Sequence, residues 1–180
     1  MEQPVNQGSV VAVCKKTQHG IPKISVEAIH LLENYGVEGD YHAGKFVRHR
    51  YLAKKDPTVP NVRQVLIIDT AILSFLADQD IHLEPGMMGE NLILDGISVM
   101  ELPLGTQLEV GESLLEITEV RNPCSQLNGS HPQLLEAVEK SGSGPDSRNA
   151  GMLARVLQGG WVRPGDSVLI RPISDAEKGV

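Results

Sequence analysis

In Arg121-Asn-Pro-Cys124 a cysteine follows a proline, with an arginine one short turn of chain upstream. The segment before it, Leu114 to Val120, alternates apolar and polar residues as a strand does. Pro123 lacks an N–H and cannot continue a ladder, so the chain is expected to leave a sheet there and present Cys124 at the strand exit. A fixed cation near a thiol favours the thiolate, the form that attacks electrophiles and ligates soft metals. Arg121 is close enough in sequence to supply that cation. The same tetrapeptide also fits a cysteine that merely packs, because cysteine behaves as a small apolar residue.

Two further constellations could carry chemistry. Gly36-Val-Glu-Gly39-Asp40-Tyr-His42-Ala-Gly44 puts a carboxylate two residues from an imidazole, flanked by glycines that leave room for a ligand. Asp40 could orient His42 or share a proton with it, which makes the two candidate acid–base residues. Gly86-Met-Met-Gly89-Glu90-Asn91 enters a strand-like run, with Glu90 and Asn91 as polar groups at its start. A plain structural turn accounts for this stretch equally well.

Five of the chain's 16 Lys and Arg fall together at Lys45, Arg48, Arg50, Lys54 and Lys55. In an acidic chain that concentration suggests an anion site, and a solvated loop is the alternative. The stretch from Ser141 to Gly151, Gly- and Ser-rich with Asp146 and Arg148, reads as a lid or an exposed linker. The six histidines are scattered without the spacing of a zinc pair, so a metal cage built from protein ligands alone is not expected. The chain has no P-loop, no G-x-S-x-G and no G-x-G-x-x-G after a strand. Thiol chemistry is left as the leading option.

The elements that must position these residues are mostly strands. Short apolar runs at Ser9–Lys15, Lys23–Ala28, Arg63–Ile68, Asn91–Leu94, Gln107–Val110, Leu114–Val120, Leu153–Leu157 and Ser167–Arg171 are separated by Gly and Pro turns. Thr70–Gln79 and Pro132–Lys140 have helical spacing, the first with Asp69 or Thr70 as N-cap. The long intervening segment, 34–61, does not share the strand rhythm. Many short strands with few helices predict a mainly β chain closed as a barrel rather than alternating βαβ units. With 41% hydrophobic but only 3% aromatic residues, Val, Ile and Leu must fill its core.

Composition sets the boundaries of function. A length of 180 residues suits one domain. A net charge of −7 argues against nucleic-acid binding. No apolar run approaches the ~20 residues of a membrane helix. The first residues lack the basic-then-apolar layout of a secretory leader, so a reducing cytoplasm is the expected setting, and there the two cysteines stay free thiols.

Taken in order, GVEGDYHAG from Gly36, RQVLII from Arg63, GENL from Gly89, RNPC ending at Cys124 and the closing GMLARVLQGGWVRPGDSV resemble a MOSC domain, the family of the C-terminal domain of molybdenum cofactor sulfurases. The chain is similar to the small stand-alone bacterial type. The resemblance implies a single MOSC domain at 8–171, folded as a β-barrel with a few short helices, and a polar tail at 172–180. It implies that Cys124 carries sulfur or coordinates molybdenum in the molybdenum cofactor (molybdopterin). Arg121, Lys45, Arg48, Arg148 and Arg155 are then the cations that could hold the pterin's phosphate, with Glu90 and Asn91 shaping the pocket.

The implied activity is reduction of N-hydroxylated compounds with an electron-donor protein. Otherwise the chain is a sulfur carrier loaded by a pyridoxal phosphate-dependent cysteine desulfurase. The alternative is a non-catalytic ligand-binding barrel in which Cys124 is buried and structural.

Overall fold

The computed structural model describes residues 6–140, 148–171 and 173. The Gly- and Ser-rich stretch at 141–147 and, Ile173 apart, the tail expected from 172 lie outside the described residues. Eleven strands follow one another: β1 (Gln7–Lys15), β2 (Ile24–Val26), β3 (Ile29–Leu32), β4 (Gly36–Val37), β5 (Val65–Asp69), β6 (Leu92–Asp95), β7 (Gln107–Val110), β8 (Ser113–Val120), β9 (Met152–Gln158), β10 (Gly160–Val162) and β11 (Ser167–Arg171). Between them come three short helices, α1 (Arg50–Lys55), α2 (Thr70–Ala77) and α3 (Leu134–Glu139). Among the described residues no helix is long and apolar enough to cross a membrane.

Seven strands pair in the order β1, β11, β7, β8, β9, β5, β6 and return to β1, so the sheet closes into a barrel. Closure is made by Gln7, Gly8 and Ser9 of β1 against Leu169, Val168 and Ser167 of β11. Further along the same edge β1 pairs with β2 at Val13–Lys15, while its other edge holds β6 across a bulge between Val10 and Ala12. The mainly β barrel with few helices, expected from the pattern of short apolar runs, is what the chain forms.

The central strand shows why. All five residues of β5 are buried. A strand covered on both faces needs a continuous apolar run rather than alternation. The barrel interior covers one face, and α2 lies over β5 and β6. The helix starts where Asp69 accepts a 2.9 Å hydrogen bond from the Ile72 N–H, and it buries Ile72 and Leu76.

The segment expected to be one long irregular loop is partly ordered. It holds β4, α1 and an isolated bridge between Phe46 and Pro60. β4 joins β3 and β10 in a second, three-stranded sheet. These strands are two to four residues long, and their pairing comes from their neighbours rather than from an apolar rhythm. The helices are also shorter than their sequence patterns. α2 ends at Ala77, and α3 begins at Leu134 rather than Pro132.

The pairing directions fix where a site can form. β5 and β6 run parallel to each other, and β6 is antiparallel to β1, as β9 is to β5 and β8. The C-terminal end of β1 therefore lies at the same pole as the N-terminal ends of β5 and β6, while β8 ends and β9 begins at the other.

Candidate active site

A cavity of about 320 Å³ is lined by residues that follow β1, precede β5 and β6, and follow β8. Cys124 lines it, exposed, at the point where β8 has ended and a 3₁₀ turn, Ser125–Gly129, begins. Arg121 is tied down beside it: its N–H donates to the Gly151 carbonyl at 3.0 Å and its Nη1 to the Ala150 carbonyl at 3.2 Å. Burial pushes the pKa of the Arg121 guanidinium below its ordinary value, while the charges of Cys124 and Glu90 pull the other way. The cation expected near the sulfur is thus in electrostatic contact with it. Cys124 is not the buried structural cysteine of the alternative reading; Cys14, wholly buried in β1, has that role.

His42 lines the same cavity, and Asp40 stands behind it, 5% exposed. Asp40 Oδ2 accepts from the His42 N–H at 3.1 Å and lies 3.7 Å from His42 Nδ1, a coulombic rather than a hydrogen-bonding distance. The other oxygen accepts from the Lys16 N–H at 3.1 Å. Burial pushes the Asp40 carboxyl up, but His42, the Lys23 ammonium and the Lys16 N–H outweigh it and hold the carboxyl well below the usual carboxylate range. The loop that carries both residues is pinned by Asn61, whose Nδ2 donates to the carbonyls of His42 at 2.8 Å and Gly44 at 3.1 Å.

The remaining candidates separate into lining and supporting groups. Arg48 lines the cavity with its guanidinium 4.7 Å from the Tyr41 ring centroid. Asn91 also lines it, but its side chain stitches three strands together, accepting from the Leu66 N–H at 3.1 Å and donating to the Cys14 carbonyl at 3.0 Å. Glu90 lies beneath the surface, where its carboxylate accepts from the N–H groups of Gly86 at 2.5 Å and Met88 at 3.0 Å. Burial raises its pKa. Arg148 reaches the rim indirectly, donating to the side chain of Asn122, which lines the cavity.

Lys45 and Arg155 are not among the lining residues. Lys45 reaches over the Phe46 ring, and Arg155 pairs with Glu116 at 3.0 Å on the β8–β9 ladder. Sequence reasoning missed His19, Lys23, His49 and Arg63 as lining residues. Arg50 and His49 lie inside the basic run that the sequence did single out. Arg63 carries no local signal, and a 2.6 Å ion pair with Glu119 fixes it in place.

Charge is the cavity's main chemical property. Its lining holds Lys23, Arg48, Arg50, Arg63 and Arg121, three histidines, and no carboxylate among the described residues. In a chain of net charge −7 this is a local reversal of sign, suited to an anion. Val47, Leu66 and Leu153 add an apolar wall. Burial and the neighbouring Arg50 and Arg63 respectively push the pKa values of His19 and His49 down. No group of three or more His, Cys, Asp or Glu is placed to hold a metal ion among the described residues, so a metal here would take the Cys124 sulfur as its protein ligand and bring others with it.

A family model described as "MOSC domain" matches residues 39–169. Protein YiiM of Escherichia coli (strain K12) is 28% identical over 130 residues, which cover 71% of this chain and 55% of that protein. The chain thus spans about half the length of the curated relative it matches. Among solved structures, the YuaD protein from Bacillus subtilis superposes with a TM-score of 0.77 at 17% identity, over 93% of this chain and 97% of that one. YiiM from Geobacillus stearothermophilus gives 0.60 at 20% identity, over 94% and 75%. At such identities the structural likeness is one of fold.

Proposed function

Since this chain belongs to the MOSC domain family, we propose that it binds molybdenum cofactor through Cys124 and reduces N-hydroxylated compounds in the adjoining cavity. The observation that carries this reading is an exposed thiol opening onto a basic cavity without carboxylates among its described lining residues. The donor set fits the group: one soft sulfur for a thiophilic metal, and guanidinium groups for the phosphate of its pterin. Arg121 serves the sulfur, and Arg48 and Arg50 serve the phosphate. When bound, the cofactor supplies a metal centre that passes two electrons to the substrate.

The chain's own residues do the remaining work. Val47, Leu66 and Leu153 keep one wall dry. His42, steadied by Asp40, delivers a proton to the hydroxyl as the N–O bond breaks and water leaves, and the nitrogen takes up a second proton from solvent. The two electrons come from a donor protein, because these 180 residues contain no flavin or iron–sulfur motif.

The exposure of Cys124 favours one second reading, a sulfur carrier. A thiol open at the rim can attack the outer sulfur of a persulfide on a pyridoxal phosphate-dependent cysteine desulfurase in the cytoplasm, becoming a persulfide itself as the desulfurase thiol leaves.

The test uses protein made in a cofactor-competent host, with molybdenum content and reductase activity measured side by side. Cys124→Ser swaps a soft donor for a hard one at nearly constant volume, so metal is lost while thermal stability holds. His42→Ala keeps the metal and slows turnover by ~10²–10⁴-fold, the usual contribution of a general acid. Full metal and full activity in Cys124→Ser would sink the proposal. A gain of one sulfur atom on Cys124 after incubation with a desulfurase, with no reductase activity, would move the assignment to the carrier.

A further inference from the structure

Lysine is almost never buried without a partner, because an unpaired ammonium away from water is costly. Lys23 is 5% exposed. Its N–H donates to the Gly86 carbonyl at 2.9 Å, and its Nζ sits 3.0 Å from Asp40 Oδ2. That same oxygen accepts from the His42 N–H and faces His42 Nδ1 at 3.7 Å. One carboxylate oxygen is thus shared between a buried ammonium on one side and the cavity's imidazole on the other.

The sharing has an electrostatic consequence. Charge that Asp40 spends on Lys23 is not available to stabilise an imidazolium at His42. The other groups around His42 do not supply it. His19, from the turn after β1, and His49, from the basic segment, each interact with it. The Tyr41 ring meets it edge-on at 5.3 Å, and Arg48 stands over that ring. Every one of these is neutral or cationic, and none of the described cavity-lining residues carries a carboxylate.

We propose that Lys23 is a positioning residue which, through Asp40, sets how readily His42 takes up a proton. The inference rests on the reading of His42 as the cavity's proton-transfer group, and it assigns the buried lysine a part in that task. Without the ammonium, Asp40 acts on His42 alone and holds it as imidazolium to higher pH, where it is slow to release its proton. With the ammonium in place, the imidazole can cycle.

NMR titration of the imidazole resonances in the full-length protein tests this without any bound cofactor. Lys23→Met moves the His42 titration midpoint up by about one unit or more, the size expected from an opposite charge within ~4–6 Å. Lys23→Gln does the same while keeping a hydrogen bond to Asp40, which isolates charge from packing. Asp40→Asn moves the midpoint down. A lysine with only a structural role would perturb nearby amide resonances and leave the midpoint in place. A midpoint that is unchanged or lowered in folded Lys23→Met or Lys23→Gln overturns the proposal. In cofactor-loaded protein, the matching limb of the pH–rate profile shifts with the midpoint. If the midpoint moves as stated but His42→Ala turns over at the full rate, the coupling stands and the proton-transfer role of His42 falls.

Discussion

Burial in β1 and the nearby charge of Glu90 push the Cys14 thiol up to about 12, whereas Cys124 is open to solvent beside a cation. Brief iodoacetamide treatment at neutral pH therefore labels Cys124 well ahead of Cys14, read by mass spectrometry; preferential labelling of Cys14 would contradict the site. Cys14 also shapes the alkaline limit of stability. An unfolded thiol ionises near ~8.5. Between that value and about 12 the unfolded chain releases a proton that the folded chain keeps, so stability falls as pH rises through this window. Cys14→Ala removes that contribution, and its unfolding free energy declines less steeply than the wild type's over the same range, measured by urea titration at several pH values. Residue type singled out two residues that the fold brings to one cavity, Cys124 and His42, and Asp40 behind them. Cys124, Asp40 and His42 stood out because few residues can do their chemistry. Lys23 and Arg63 did not, because their meaning comes from partners elsewhere in the chain. Glu90 and Asn91 stood out as polar groups at a strand entry, yet their side chains are used up on backbone N–H and C=O groups.

The turn that enters β6 shows how one element holds another in place. Gly86 has φ +92°, and a Cβ there would lie 2.0 Å from the Lys23 carbonyl oxygen. Glu90 caps the same turn, and its neighbour Gly89, at φ +80°, leaves room for the Ile21 side chain, which a Cβ there would meet at 2.7 Å. Gly86→Ala combines an unfavourable backbone region with a backbone clash. It costs more than about 2 kcal/mol, read as a lowered Tm, and it also loosens the Lys23–Asp40 pair. An unchanged Tm would mean that the turn is not the clamp described. β5 and α2 were legible because a continuous apolar run and a capped helical face are both local patterns. α1 was not, since Arg-Tyr-Leu-Ala-Lys-Lys buries no residue and so leaves no apolar rhythm to read. β3, β4 and β10 were hidden for a related reason: each is defined by the strand it meets.

Over the whole molecule the outstanding property is closure. The pattern of short runs predicted a barrel, but nothing local could say which strands would seal it, because the seam joins the first strand to the last. Deleting residues 167–171 leaves β1 and β7 with bare edges, and such edges pair with other chains. The deletion variant should elute as aggregate in size-exclusion chromatography, and a well-behaved monomer would show that the ring does not depend on its seam. The position of this seam has a further effect. The start of β1 is the end of that strand away from His19 and Lys23, which line the cavity. The two ends of the barrel meet at this seam, with Gln7 beside Leu169. A second polypeptide spliced onto either end would leave from this seam, none of whose residues lines the cavity. The same geometry makes the barrel portable: a reductase, a carrier or a docking module could be fused to it without redesigning the cavity.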